Sequence, residues 1–222
     1  MAVFNVVEKF VSINGEGTRA GQLAVFIRFA GCNLNCNYCD TAWANHKNVP
    51  AHAMTEFEIY DYVKATGVKN VTLTGGEPLL RANIDKLLRI LSNDRNIHVE
   101  IETNGSVDLR EFCDISDNIS FTVDYKLAGS GMEKYMLLEN FTDRRREDTV
   151  KFVVSDVADL ERAKEIISQY ALTEQCSVYI SPVFGRIEPV QIVEYMKENR
   201  LNGVTLQLQM HKIIWDPDRK GV

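Results

Sequence analysis

Gly31-Cys32-Asn33-Leu34-Asn35-Cys36-Asn37-Tyr38-Cys39-Asp40-Thr41 crowds three cysteines into one loop with the spacing Cys-x3-Cys-x2-Cys. Thiolates so spaced can wrap a single metal centre and hold three of its corners, as they do in iron-sulfur clusters and in zinc sites. No fourth cysteine lies nearby, so one corner stays open for chemistry. Cys113 and Cys176 each stand alone in apolar or helical surroundings and read as buried structural thiols. For the loop taken by itself, a zinc knuckle completed by His46 or Asp40 competes with the cluster. The loop follows an apolar run at 24–29, and the next such run, at 70–74, ends in Thr74-Gly75-Gly76-Glu77-Pro78.

Working outward, β-branched apolar runs alternate with stretches of helical period. Strands are expected at 24–29, 70–74, 98–104, 119–126, 149–155, 177–182 and 204–209. Thr55 followed by Glu58 is a capping-box start for a helix to about Ala65. Ile84, Leu87, Leu88 and Leu91 form a helical stripe after Asn83, as do Leu160, Ala163, Ile166, Ile167 and Tyr170, and a further helix is expected over 188–199. Strand-helix-strand order implies a parallel sheet with right-handed crossovers. Seven strands fall short of the full eightfold barrel, which takes about 250 residues, so the expected fold is an α/β, incomplete TIM-type (β/α) barrel formed by residues 1–222 as one domain.

Residues two apart on a strand share a face. One face is apolar throughout: Val25, Ile27 and Phe29; Val71 and Leu73; Val99 and Ile101; Phe121 and Val123; Val204, Leu206 and Leu208. The other carries Arg28, then Thr72 and Thr74, Glu100, Glu102 and Asn104, Thr122, Asp124 and Lys126, and Thr205, Gln207 and Gln209, with His211 continuing the series. A lumen this rich in charge suits a ligand site, because unpaired buried charges cost several kcal/mol. Taken singly, Glu100 could equally face solvent and Lys151 could be an ordinary surface lysine.

With 222 residues and 45% hydrophobic content, the chain can bury one sizeable core. Its net charge of -6 argues against nucleic acid or an anionic membrane as partner, since both demand clustered cations. Arg144-Arg145-Arg146 sits among Asp143, Glu147 and Asp148 and reads as a solvated mixed-charge loop. The first residues lack the charged start, apolar stretch and cleavage site of a leader, and no long apolar run is present. Five cysteines, three of them in one loop, are unlike a disulfide framework, so a soluble cytoplasmic protein is expected.

The cysteine triplet and the Gly-Gly-Glu-Pro segment, in this order, resemble the cluster loop and glycine-rich segment of the radical S-adenosylmethionine (SAM) superfamily. Ser12-Ile13-Asn14-Gly15-Glu16-Gly17, Phe26-Ile27-Arg28, Cys39-Asp40-Thr41 and Gln207-Leu208-Gln209-Met210-His211-Lys212 are similar to the corresponding segments of the 7-carboxy-7-deazaguanine synthases. The resemblance runs nearly the length of the chain. It implies a 4Fe-4S cluster on Cys32, Cys36 and Cys39, whose open iron binds SAM and generates a 5′-deoxyadenosyl radical. It also implies ring contraction of 6-carboxy-5,6,7,8-tetrahydropterin to 7-carboxy-7-deazaguanine with loss of ammonia, on the route to queuosine or another deazapurine. A flavodoxin or ferredoxin as electron donor and a homodimer belong to the same expectation.

By the same resemblance, substrate contacts fall to Ile13, Asn14, Gly15, Glu16, Arg28, Thr74, Gln209 and His211. Arg28 can clamp a carboxylate bidentately, and Glu16 can accept from the amino and ring N–H groups of a pterin. Thr41 is implied as a ligand of Mg²⁺. SAM contacts fall to Tyr38, Cys39, Asp40, Gly76, Glu102, Asn104, Asp124, Tyr125 and Lys126. Two positions depart from the family pattern: Asn14 stands where many members carry Gln, and Asp124 where a Ser-x-Lys segment is usual. A glycyl-radical activase shares the cluster and cofactor but implies a wide mouth without a pterin pocket, and a zinc or electron-transfer module implies no substrate at all.

Overall fold

The computed structural model describes residues 1–217 and 219–222. Its sheet is built from β1 (Val3–Ile13), β2 (Leu23–Phe29), β3 (His52–Thr55), β4 (Asn70–Gly75), β5 (His98–Thr103), β6 (Ile119–Tyr125), β7 (Thr149–Val154), β8 (Ser177–Pro182) and β9 (Val204–Leu206). The helices are α1 (Glu56–Thr66), α2 (Ile84–Asn93), α3 (Arg110–Cys113), α4 (Val157–Gln169), α5 (Leu172–Gln175), α6 (Pro189–Glu198) and α7 (His211–Ile214). Strand order is β3-β1-β2-β4-β5-β6-β7-β8-β9, with every pair from β2 through β9 parallel. The order is linear, so the barrel is open, and all seven expected strands form.

Local sequence explains the element ends. Thr55 accepts from the Glu58 amide and Glu58 accepts from that of Thr55, while Gly67, at φ 70°, terminates α1 in the left-handed region where glycine carries no steric penalty. Asp156 caps α4 by accepting from Asp159 N. Ile84, Leu87, Leu88 and Leu91 of α2, with Leu160, Ala163, Ile166 and Ile167 of α4, are buried against Val71, Leu73, Val99, Ile101, Phe121 and Phe152 of the sheet.

Two strands have no counterpart in the sequence reading. β1 runs antiparallel to β2, from Val6 opposite Phe29 to Ile13 opposite Leu23 with an irregularity between Val6 and Glu8, and β3 pairs with its other edge. The expected strand at 204–209 stops at Leu206, because Gln207 and Gln209 turn their amides to the β1–β2 loop. Of the three arginines in the run, Arg146 alone is solvated as expected. Arg144 is buried, and Arg145 grips the fully buried Asp148 through Nε and Nη2 and donates to the carbonyls of Cys113 and Ile119. Asp148 in turn accepts from Phe121 N, so the charges staple two strand starts. Cys113 and Cys176 are only half-buried, packed against the edge of the core.

The β1–β2 loop fills the open lumen. Asn14 Oδ1 accepts from Thr72 Oγ1 at 2.8 Å; Gly17 exchanges two hydrogen bonds with the Gln207 amide at 2.8 and 3.0 Å; Met210 N donates to Gly15 O. Gly15 and Gly17 are required by packing within the protein. A Cβ on Gly15 would meet His211 Nδ1 at 2.6 Å, and one on Gly17, whose φ is +79°, would meet Glu100 Oε1 at 2.8 Å. Glu100 is therefore interior, accepting from Thr122 Oγ1 at 2.6 Å, and does not face solvent.

Candidate active site

Above this loop, at the C-terminal ends of the parallel strands, lies a cavity of about 720 Å³. The three cysteines line it, together with Thr41, Ile13, Gly15, Glu16, Arg28, Thr74, Gln209 and His211, and with Tyr38, Asp40, Gly76, Glu102, Asn104, Asp124 and Lys126. Polar strand positions meet here because the period-two face that β2, β4, β5, β6 and β7 turn inward is the polar one.

Two assigned residues stand elsewhere. Tyr125 is 1% exposed, with its ring against Phe141 and Phe152 and its hydroxyl on Glu133, so its side chain belongs to the apolar layer with Phe121 and Val123. Asn14 is buried one layer below the cavity; its Oδ1 is taken by Thr72 and its Nδ2 has no partner. The shorter amide thus serves the floor, not the wall.

The cysteine loop is held from several sides. Asn37 N donates to Ser130 O, Asn33 Nδ2 to Ser106 Oγ, Tyr38 OH to Val153 O at 3.2 Å, and Arg81 Nη1 to Ala30 O at 2.6 Å. Gly75 and Gly76 pack edge-on beneath it: a Cβ on Gly76 would lie 2.0 Å from Gly31 O and 2.7 Å from Cys32 N. Glu77, fully buried, accepts from Leu79 N, Thr103 Oγ1 and Asn104 N and ties this segment to the end of β5. Burial raises its carboxyl above the ordinary range, and these donors offset the rise.

The residues present fit an iron-sulfur cluster. All three thiols are free and half-buried, and Leu34 N and Asn104 Nδ2 point at Cys32 Sγ from 3.4 and 3.5 Å, the N–H contacts that sulfur ligands accept. Burial pushes the Cys36 thiol up to about 11; Lys126 offsets this in part, and Asp124, Cys39 and Cys32 add to it. Three mutually repelling thiolates need positive charge in their midst, which an iron-sulfur core supplies. Asp40, one of the two side chains that could complete a zinc knuckle, is engaged by Lys212 at 3.6 Å.

The electrostatics divide the cavity. Glu16 accepts from Lys151 Nζ, Gln209 Nε2 and Ser181 Oγ, each at 3.2 Å. Burial alone would raise its pKa, but Lys151, Gln209 and His211 outweigh burial and hold it below the ordinary value. His211 is lowered by burial, against the pull of Glu16 and Asp40. Lys126 and Lys151 are penalised by burial yet raised overall by Asp124 and by Glu16 respectively, so both are charged. Thr74 Oγ1 donates to Glu102 Oε2 at 2.7 Å.

Sequence reasoning missed several lining residues. Glu8 faces Arg28 from β1, whose strand was not foreseen. Lys151 is 9% exposed and buried between carboxylates; its position between Val150 and Phe152, both fully buried, was the available signal. Phe10 and Phe26 stack at 5.1 Å and 9° to make a flat apolar wall. At the far end Lys220 Nζ lies over the Trp43 ring at 4.1 Å, bringing the chain terminus against the mouth.

An open parallel barrel with three thiols at its C-terminal mouth defines the class, a radical SAM enzyme, and residues 26–125 match the sequence profile of the Radical SAM superfamily. A protein named 7-carboxy-7-deazaguanine synthase from Clostridium acetobutylicum is 60% identical over 99% of this chain and 99% of its own, and one of the same name from Chlorobaculum tepidum is 38% identical over 100% and 98%. The chain belongs to the 7-carboxy-7-deazaguanine synthase family. The crystal structure of QueE from Escherichia coli shares its fold at TM-score 0.76, covering 94% of this chain and 95% of that one at 23% identity.

Proposed function

We propose that this chain is a carbon-nitrogen lyase converting 6-carboxy-5,6,7,8-tetrahydropterin to 7-carboxy-7-deazaguanine with release of ammonia. The observation that carries the reading is that one cavity joins the cysteine loop to Arg28, Glu16 and His211, a guanidinium, a carboxylate and an imidazole suited to a carboxylated bicycle with N–H edges. When bound, the cluster on Cys32, Cys36 and Cys39 and SAM supply the hydrogen-abstracting radical. The protein's task is binding and orientation.

In this reading Arg28 holds the substrate carboxylate, Glu16 takes the pterin amino and ring N–H donors, and the Phe10–Phe26 wall excludes water from one side. Ile13, Gly15, Thr74 and Gln209 complete the substrate side. Tyr38, Cys39, Asp40, Gly76, Glu102, Asn104, Asp124 and Lys126 form the SAM side. Thr41, whose hydroxyl lies 3.6 Å from Cys39 Sγ, is the proposed protein ligand of Mg²⁺, with substrate and water oxygens filling the rest of its shell. Residues 1–222 act as one radical SAM domain in a cytoplasmic homodimer served by flavodoxin or ferredoxin. No helix among the described residues is long and apolar enough to cross a membrane.

The test is anaerobic incubation of cluster-reconstituted protein with dithionite, SAM, Mg²⁺ and the carboxytetrahydropterin, followed by mass spectrometry. The expected product is 7-carboxy-7-deazaguanine. Release of 5′-deoxyadenosine alone would overturn the substrate while keeping the radical chemistry.

A further inference from the structure

Four side chains of alternating charge cross the cavity wall. Lys151 Nζ lies 3.2 Å from Glu16 Oε2 and 3.9 Å from Asp124 Oδ2, and Lys126 Nζ lies 2.6 Å from that same Asp124 oxygen. The row starts on the β1–β2 loop, passes through β7 and β6, and ends at Lys126, whose charge is felt by Cys36 and Tyr38 of the cysteine loop. All four side chains are largely buried, so their attractions are weakly screened, and the place of the Lys151 ammonium is set by the balance between its two carboxylates.

Asp124 spends only one oxygen on these lysines. Its Oδ1 is buried without a hydrogen-bond partner, an acceptor whose desolvation is repaid only by a donor brought in from outside the chain. Glu16 stands on the side proposed for the pterin and Asp124 on the side proposed for SAM, and Lys151 touches both.

We infer that Lys151 is a positioning residue that couples the two subsites, so that pterin binding strengthens SAM binding and the reverse. The inference rests on the subsite assignment made above. N–H donors placed on Glu16 neutralise part of its pull, the ammonium closes on Asp124, and that carboxylate is then fixed with Oδ1 presented to a ligand donor. Linkage requires the effect to be reciprocal. A lysine that merely tethered the β1–β2 loop would weaken both ligands on removal and leave their mutual effect unchanged.

The experiment is a binding cycle on cluster-reconstituted protein, kept anaerobic and with the cluster oxidised so that no turnover occurs. SAM affinity is measured calorimetrically with and without saturating 6-carboxytetrahydropterin, in the wild type, Lys151→Met and Lys151→Arg. The expected result is a gain in SAM affinity of roughly fivefold or more on adding pterin to the wild type, kept by the Arg variant and reduced to about onefold in the Met variant. A wild type that binds both ligands independently overturns the coupling and leaves the function standing, as does a Met variant with the gain intact. A wild type that takes SAM but no pterin overturns the substrate assignment and the coupling with it. Should Lys151→Met fail to hold its cluster, Asp124→Asn serves instead: the gain is expected to vanish, and its persistence overturns the inference.

Discussion

Arg28 Nε donates to Glu8 Oε2 at 2.9 Å, and the two residues stand directly opposite each other where β1 pairs with β2. The pair is mostly sheltered from solvent, and both members line the cavity. Arginine has five N–H groups in a rigid fork, so one spent on Glu8 fixes the plane and leaves the rest to bind. An antiparallel strand outside the parallel barrel thus aims the residue proposed to hold the substrate carboxylate.

Arg28→Ala is expected to abolish pterin turnover while cluster content and SAM binding stay normal. Glu8→Gln should raise KM by roughly tenfold, about 1.4 kcal/mol, with kcat little changed, because it weakens the orienting bond without touching the reacting atoms. Steady-state kinetics on both variants check this. A fall in kcat at constant KM for Glu8→Gln would remove its positioning role.

Gly76→Ala is expected to strip the cluster. The added methyl would overlap Gly31 O and Cys32 N, both backbone, so the cysteine loop itself must move. Iron and sulfide content should fall sharply while the circular dichroism of the fold persists. A full complement of iron would show that the loop can yield.

Burial lifts the Glu100 carboxyl to about 7, with repulsion from Glu102 adding to the rise and Thr122 and Lys151 opposing it. Its ordinary value is 4.5, the value it regains on unfolding. Below that pH both states are protonated and its contribution to stability is fully present; it is lost as pH rises through 7, at a cost of about 3 kcal/mol. Glu100→Gln should therefore raise the unfolding temperature by roughly 6–12 °C at pH 8, a gain that shrinks as pH falls through this window. A gain independent of pH would refute the assignment.

Chelating Mg²⁺ is expected to slow turnover by about tenfold or more while SAM affinity and iron content hold, and Thr41→Val should reproduce that loss. Thr41→Ser, which keeps the oxygen, should retain most activity. Equal rates for Val and wild type would take Thr41 out of the metal site.

The barrel and most of its lumen were legible because two periodicities carry them. Alternation put Thr74, Glu102, Asp124 and Lys126 on one face, and the cysteine spacing said which end of the strands mattered. Tyr125 shows what happens when a segment is transferred whole: its parity is that of Phe121 and Val123, and the fold obeyed parity. β1 and β3 add antiparallel edges that the regular strand-helix count gives no reason to expect. Asn14 lies in an irregular loop, where no period predicts direction. Arg144 and Arg145 were misread because mixed charge looks alike whether solvated or gathered on one buried acid such as Asp148, and only tertiary packing tells these apart.

Gly17 and Gln207 are hydrogen-bonded across 190 residues of chain, and Glu16 and Gln209 across 193. During synthesis the cysteine loop and the glycine pair beneath it emerge early and have most of their partners by the time β7 is made. The pterin side has to wait for nearly the last residues to leave the ribosome. A chain cut short after β9 would therefore be half an enzyme in a definite sense, able to carry a cluster and meet SAM, with no finished place for the molecule that should receive the radical.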